Sequence, residues 1–138
     1  MQKIILDTNV IVSALIGSSH PQRIVYDLVF NKKVVVCCSI EIFAEYVSVL
    51  SRPKFIKHPE FLIKAEMVLN KIDDLSVKYI PAYKITKIKD ESNSKFLELG
   101  LSAETDFIIT GNKNDFTFKE YEGIRIVSPE EFINQYFQ

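Results

Sequence analysis

Disulfide chemistry has little to work with here: the 138 residues include two cysteines, Cys37 and Cys38, side by side in an apolar run. Adjacent residues on a strand point to opposite faces, so this pair reads as two buried thiols and not as a bridge. Histidine is equally scarce. His20 and His58 each stand alone before a proline, and no Cys/His spacing of the zinc type exists, so both read as loop residues and a structural zinc is excluded. Also missing is any apolar stretch long enough for a signal peptide or a membrane span, and the cytosol is the expected compartment. The formal net charge is −1, so there is no global basic field and any grip on nucleic acid must be local. Internal repeats and low-complexity segments are absent.

What is present is apolar substance. Hydrophobic residues make up 47% of the chain, enough at this length to bury a core without disulfides or a structural metal. Residues 1–138 read as one domain, in the commonest size range.

Short apolar runs alternate with helical patterns. Lys3-Ile4-Ile5-Leu6 stops abruptly at Asp7-Thr8-Asn9, as a buried parallel strand does on reaching a sheet edge. Helical spacing follows over Val10–Ile16 and Arg23–Phe30, then a strand at Val34–Cys37. Ser39 can cap a helix whose apolar residues Ile42, Phe43, Tyr46, Val47 and Leu50 leave Glu45 off the stripe, and Arg52-Pro53 stops it. A helix from about Glu60 to Ile72, a short strand at Val77–Ile80, a helix over Ser92–Ser102, and strands at Phe107–Thr110 and Ile124–Val127 complete the pattern. Ser128-Pro129-Glu130-Glu131 opens a closing helix with a cap, a proline at its first position and acids in its first turn. This order predicts an α/β fold, a three-layer α/β/α sandwich around a central parallel sheet. In such folds ligands bind beyond the carboxyl ends of the strands, where strand order reverses.

Oxygen ligands gather at those strand ends. Asp7, Thr8 and Asn9 follow the first strand, and Asn112, Asn114 and Asp115 follow the strand at Phe107. Glu45 and the segment Asp90-Glu91-Ser92-Asn93 can face the same cleft. Hard oxygen groups without His or Cys suit Mg²⁺ or Mn²⁺, with waters kept for substrate phosphate. A phosphodiester cut by a metal-activated water would fit. Taken singly, each residue has a plainer role open to it. Asp7 can cap a helix, Glu45 can be solvated surface, and Asp106, at the start of its strand, reads as structural.

Three segments read together narrow the choice: Ile4-Ile5-Leu6-Asp7-Thr8-Asn9-Val10-Ile11-Val12-Ser13-Ala14-Leu15, Lys95-Phe96-Leu97-Glu98-Leu99, and Thr110-Gly111-Asn112-Lys113-Asn114-Asp115-Phe116. They resemble the PIN-domain family. The ending Gly123-Ile124-Arg125-Ile126-Val127-Ser128-Pro129-Glu130-Glu131-Phe132 is similar to that of a branch of toxin components of toxin–antitoxin pairs, the VapC-like ribonucleases. The resemblance implies a PIN fold, RNA cleavage by acidic residues around Mg²⁺ or Mn²⁺, a cognate antitoxin protein and a homodimer.

Carried over residue by residue, the resemblance makes Asp7 the first metal-binding acid, Glu45 the second, and Asn9 a polar residue orienting Asp7 or the substrate. The usual third and fourth acids fall on Asn93 and Asn112, with Asp90 and Asp115 as the nearest carboxylates to replace them. The expected catalytic and metal set is therefore Asp7, Glu45, Asp90 and Asp115, with Asn9, Asn93, Asn112 and Lys113 binding substrate or positioning water. Lys84, Lys87, Lys89 and Lys113 are the candidate grips on RNA, Lys32 and Lys33 lying farther off. Because an amide holds a divalent cation less tightly than a carboxylate, a second reading stays open: a weakened module that binds RNA or a protein without cutting. Other doubly wound domains with an acid after strand one, such as receivers and haloacid-dehalogenase-like phosphatases, fit less well, since Asn9 stands where the latter need a second acid.

Overall fold

The structure, a computed structural model, describes residues 1–82, 84, 85, 91–112, 116 and 119–137, with 91–93 described by backbone only. The chain runs β1 (Lys3–Leu6), α1 (Thr8–Leu15), α2 (Ser19–Gln22) with a π-helical continuation Arg23–Val29, β2 (Val35–Cys38), α3 (Ile40–Leu50), α4 (Pro53–Ile56) and α5 (Pro59–Leu75). Then follow β3 (Val77–Lys78), α6 (Glu91–Ala103), β4 (Phe107–Ile109), β5 (Glu120–Tyr121), β6 (Ile124–Val127) and α7 (Pro129–Glu131), which continues as π-helix over Phe132–Tyr136.

The six strands lie in the order β3-β2-β1-β4-β6-β5. Every pairing is parallel except β5 against β6, so the expected parallel sheet carries one antiparallel edge strand. That strand is two residues long, too short for alternation to announce it in sequence. Ile4, Ile5 and Leu6 of β1 are all fully buried, which requires cover on both faces of the sheet and makes the fold an α/β/α sandwich. Cys37 and Cys38 are both buried and unbridged.

Gly100 lies where α6 packs closely on the sheet. A Cβ there would meet Ile124 Cδ1 at 2.7 Å and Ile5 Cδ1 at 3.7 Å. At its far end β1 is tied to β4 by Asp106, whose carboxylate accepts from the Lys3 N–H at 2.8 Å, the structural role expected of it.

Not every apolar residue of the helices is buried, and Val47, counted in the α3 stripe, is exposed. In α5 the buried residues are Ala65, Val68 and Ile72, at spacings of three and four, while Ile63 and Met67 face outward. His20 lies within the short helix α2 and not in a loop, and His58 precedes α5. Among the described residues no helix is long and apolar enough to cross a membrane.

The order of strands places the site. From β1 the chain moves outward through β2 to β3, then returns to the other side of β1 to lay down β4. The carboxyl ends of β1 and β4 therefore flank the point where strand order reverses, and Asp7 and Thr110 are the first residues beyond them.

Candidate active site

Asp7 leaves β1 with its N–H still donating to Ile109 O, 2.9 Å, so the register of the sheet sets its position. It stands at the N-cap of α1, yet its side chain makes no capping bond. The plain role open to it in sequence is thus not the one it plays. Asp7 Oδ2 instead accepts from Thr110 Oγ1 at 2.7 Å and from Asn9 Nδ2 at 3.3 Å. Thr110 is fully buried, and its Oγ1 also accepts from the Asn112 N–H at 3.1 Å. Asn9 Oδ1 accepts from the Gly111 N–H at 2.9 Å. Asp7, at 8% exposure, is held across the crevice between β1 and β4 by groups from both strand ends. A Cβ at Gly111 would lie 3.2 Å from Asn9 Oδ1 and press on the amide.

Glu45 arrives on α3, capped by Ser39 Oγ accepting from the Ile42 N–H. Helical spacing turns Ile42, Tyr46 and Leu50 into the core and leaves Glu45 half-buried beside them. Its Oε2 accepts from Thr8 Oγ1, and its Oε1 pairs with Lys95 Nζ at 2.5 Å. The two side chains of that ion pair keep 22% and 17% exposure, so solvent screens them only in part. Next to Glu45, Tyr46 is completely buried, and its hydroxyl donates to Leu6 O at 2.5 Å. Burial holds this phenol well above the ordinary tyrosine range. Thr8 and Tyr46 bracket Asp7 in sequence contact, Thr8 beside it and Tyr46 on the residue before it. Together they tie the end of β1 to α3.

Asp7, Thr8, Asn9 and Glu45 line one open cleft of about 490 Å³, together with Val12, Val49, Arg52, Lys54, Phe55 and Phe96. Of the residues expected from sequence, the structure brings Asp7, Asn9 and Glu45 together here. Asn112 sits exposed after β4 and joins the network through its backbone N–H. Asn93 lies in α6, its side chain outside the described residues, and Asp90, Lys113 and Asp115 are outside them too, as are Lys87 and Lys89. Lys84 is exposed and does not line the cleft, nor do Lys32 and Lys33.

Sequence reasoning missed Thr110, Tyr46 and Lys95 as members of the site, counted Thr8 only among the oxygen groups after the first strand, and took Arg52-Pro53 only as a helix stop. A hydroxyl within two residues of the end of each of two strands, Thr8 after Leu6 and Thr110 after Ile109, was the available signal.

The donor set suits a hard cation. Asp7 and Glu45 supply carboxylate oxygens, Asn9 and Thr8 supply neutral ones, and no His or Cys lines the cleft. Among the described residues no group of three or more His, Cys, Asp or Glu gathers, which leaves two carboxylates. Two acids with waters and substrate phosphate is a usual arrangement for Mg²⁺.

Over 97% of its length the chain is 26% identical to an uncharacterized protein of Methanocaldococcus jannaschii, 91% of which is covered. Residues 3–114 match the PIN domain model, a nuclease fold whose members typically use divalent metals. That match begins at the first residue of β1 and runs past the end of β4, spanning both strand ends that build the crevice, and the chain belongs to the PIN domain family.

Proposed function

We propose that this protein is a divalent-metal-dependent endoribonuclease, hydrolysing RNA phosphodiesters with a water as nucleophile. The observation that carries the reading is the Asp7 carboxylate, nearly buried at the switch point of the sheet, held by Thr110 and Asn9 instead of capping its helix, in one cleft with Glu45.

Asp7 and Glu45 would hold Mg²⁺ or Mn²⁺, with Asp90 and Asp115 completing the acidic set. When bound, the ion supplies an acidified water and neutralises charge growing on the phosphate. Asn9 and Thr110 fix the rotamer of Asp7, so the carboxylate needs no reorganisation as charge shifts. Thr8 does the same for Glu45. Asn93, Asn112 and Lys113 are assigned to substrate or to positioning of water. A role as the toxin of a toxin–antitoxin pair, with a cognate antitoxin and a homodimeric state, follows from the likeness of the carboxyl-terminal segment to that branch.

Purified protein should cleave RNA with Mn²⁺ or Mg²⁺, and Asp7→Asn should abolish cleavage. Activity that survives the substitution, or excess chelator, would sink the assignment. A specific observation favours a second reading, a weakened module that binds without cutting: Lys95 already occupies Glu45 Oε1, and Asn112 stands where an acid is expected. Calorimetric titration with Mn²⁺ separates the two, since the weakened module should show no saturable uptake.

A further inference from the structure

We propose that the segment Arg52-Pro53-Lys54-Phe55 is the part of the cleft that seats an unpaired nucleotide of the RNA: Phe55 stacks its base, and Arg52 and Lys54 take the flanking phosphates. This rests on the ribonuclease reading of the same cleft. Arg52, Lys54 and Phe55 line it together with Asp7, Asn9 and Glu45.

The local structure follows from Pro53. Ser51 ends α3, and Arg52 turns extended, with φ −63° and ψ 147°, so that the proline can open α4 as its first residue. The tight turn sets Arg52 and Lys54 on the surface, two residues apart. Neither has a carboxylate within ion-pair distance among the described residues, whereas the Lys78 and Lys95 ammonium groups both do. Two unneutralised cations beside an acidic centre are what a polyanion needs in order to enter it, because Asp7 and Glu45 by themselves repel phosphate. With a net charge of −1, the chain has no general field to do this instead.

Phe55 supplies the stacking surface. It is only half-buried, although aromatic, and its ring lies on Phe61 with centroids 4.7 Å apart and planes 12° from parallel. Phe61, from the first turn of α5, thus backs one face and holds the ring in place. Lys54 Nζ lies over the ring at 5.0 Å from its centroid. An ammonium over an aromatic face is a weak, exposed cation–π pair that a nucleobase can replace, releasing the lysine to a phosphate one bond along the strand. A pre-held ring loses little entropy on stacking. Paired bases are stacked within their own helix, so the surface selects single strands over duplex.

The test is binding of a fluorescently labelled single-stranded RNA, followed by anisotropy in excess chelator so that nothing is cut. Phe55→Leu should weaken binding by roughly 5- to 100-fold and Phe55→Trp should restore it, as base stacking requires. Thermal melts of both variants show whether α4 and α5 still pack. Arg52→Ala and Lys54→Ala should each lower the slope of log affinity against log salt by about 0.7, one phosphate apiece on a single strand. Wild-type affinity in Phe55→Leu, equal loss in Leu and Trp variants, or a wild-type protein that binds no RNA overturns the proposal. If Mn²⁺-dependent cleavage proceeds with unchanged KM in Phe55→Leu, the stacking surface falls and the ribonuclease stands. Phe55-dependent binding without cleavage under any metal leaves the surface standing and removes the nuclease.

Discussion

Replacing Tyr46 with Phe tests whether the site is held from behind. The change removes one oxygen and nothing else, leaving the ring in its fully buried place and Leu6 O without the donor that now sits 2.5 Å away. A buried carbonyl deprived of its partner costs about 1–3 kcal/mol, less whatever the lost hydroxyl had cost to bury, so a net loss of roughly 1–2 kcal/mol is expected. Unfolding entropy near 2.1 cal/mol/K per residue gives, over 138 residues, about 0.3 kcal/mol/K. The Tm should therefore fall by roughly 3–7 °C, read by circular dichroism at one scan rate. Because the bond joins the residue before Asp7 to the residue after Glu45, Mn²⁺ affinity should fall with stability. A Tm within 1 °C of wild type would refute the idea that this bond holds β1 to α3. Normal stability with weakened metal binding would instead make Tyr46 a tuning residue for the site alone.

In Lys95→Met, the ammonium that occupies Glu45 Oε1 is gone, and Mn²⁺ should bind about 2- to 5-fold tighter by calorimetry, a partly exposed pair of this kind being worth ~0.5–1 kcal/mol. Unchanged or weaker binding would show that Lys95 does not compete for the carboxylate. The alkaline limb of stability is also set by buried acids: burial pushes the Cys38 thiol from about 9 up to about 11 and lifts the Tyr46 phenol well above its ordinary value of 10. Unfolded, both groups ionise at their ordinary values; folded, they keep their protons. Their contribution is thus complete below about pH 9 and drains away as pH rises through 9 to 11, so urea denaturation should give a stability about 1–2 kcal/mol lower at pH 10 than at pH 8. Equal stabilities at the two pH values would contradict the burial argument.

Much of this protein is local and could be read locally. The apolar runs of β1, β2, β4 and β6 and the stripe of α3 stand in sequence at the spacings a strand and a helix impose, and the capping box at Ser128 and Glu131 forms as its pattern predicts. The place of Asp7 just beyond the first strand and of Glu45 off the apolar stripe follows from residue type and period, while their reading as the leading acids comes from the likeness to the PIN family. Even Asp106, at the wrong end of its strand for chemistry, reads correctly as a tie.

Contacts across the sheet could not be read that way. Thr110 meets Asp7 across 103 residues of chain, Tyr46 meets Leu6 across 40, and Thr8 meets Glu45 across 37. Those meetings depend on parallel register, Leu6 opposite Ile109, and on the reversal of strand order between β1 and β4, which no window of sequence contains. Arg52 reads in sequence as part of a helix stop and Lys54 and Phe55 carry no signal of their own, and only the turn at Pro53 together with the packing of Phe61 brings them to the cleft. Sequence by itself determined which side chains could carry the chemistry, because period and residue type are properties of neighbours. Tertiary structure decided which of them share a cleft and what holds Asp7 there, because register and strand order are properties of the whole chain.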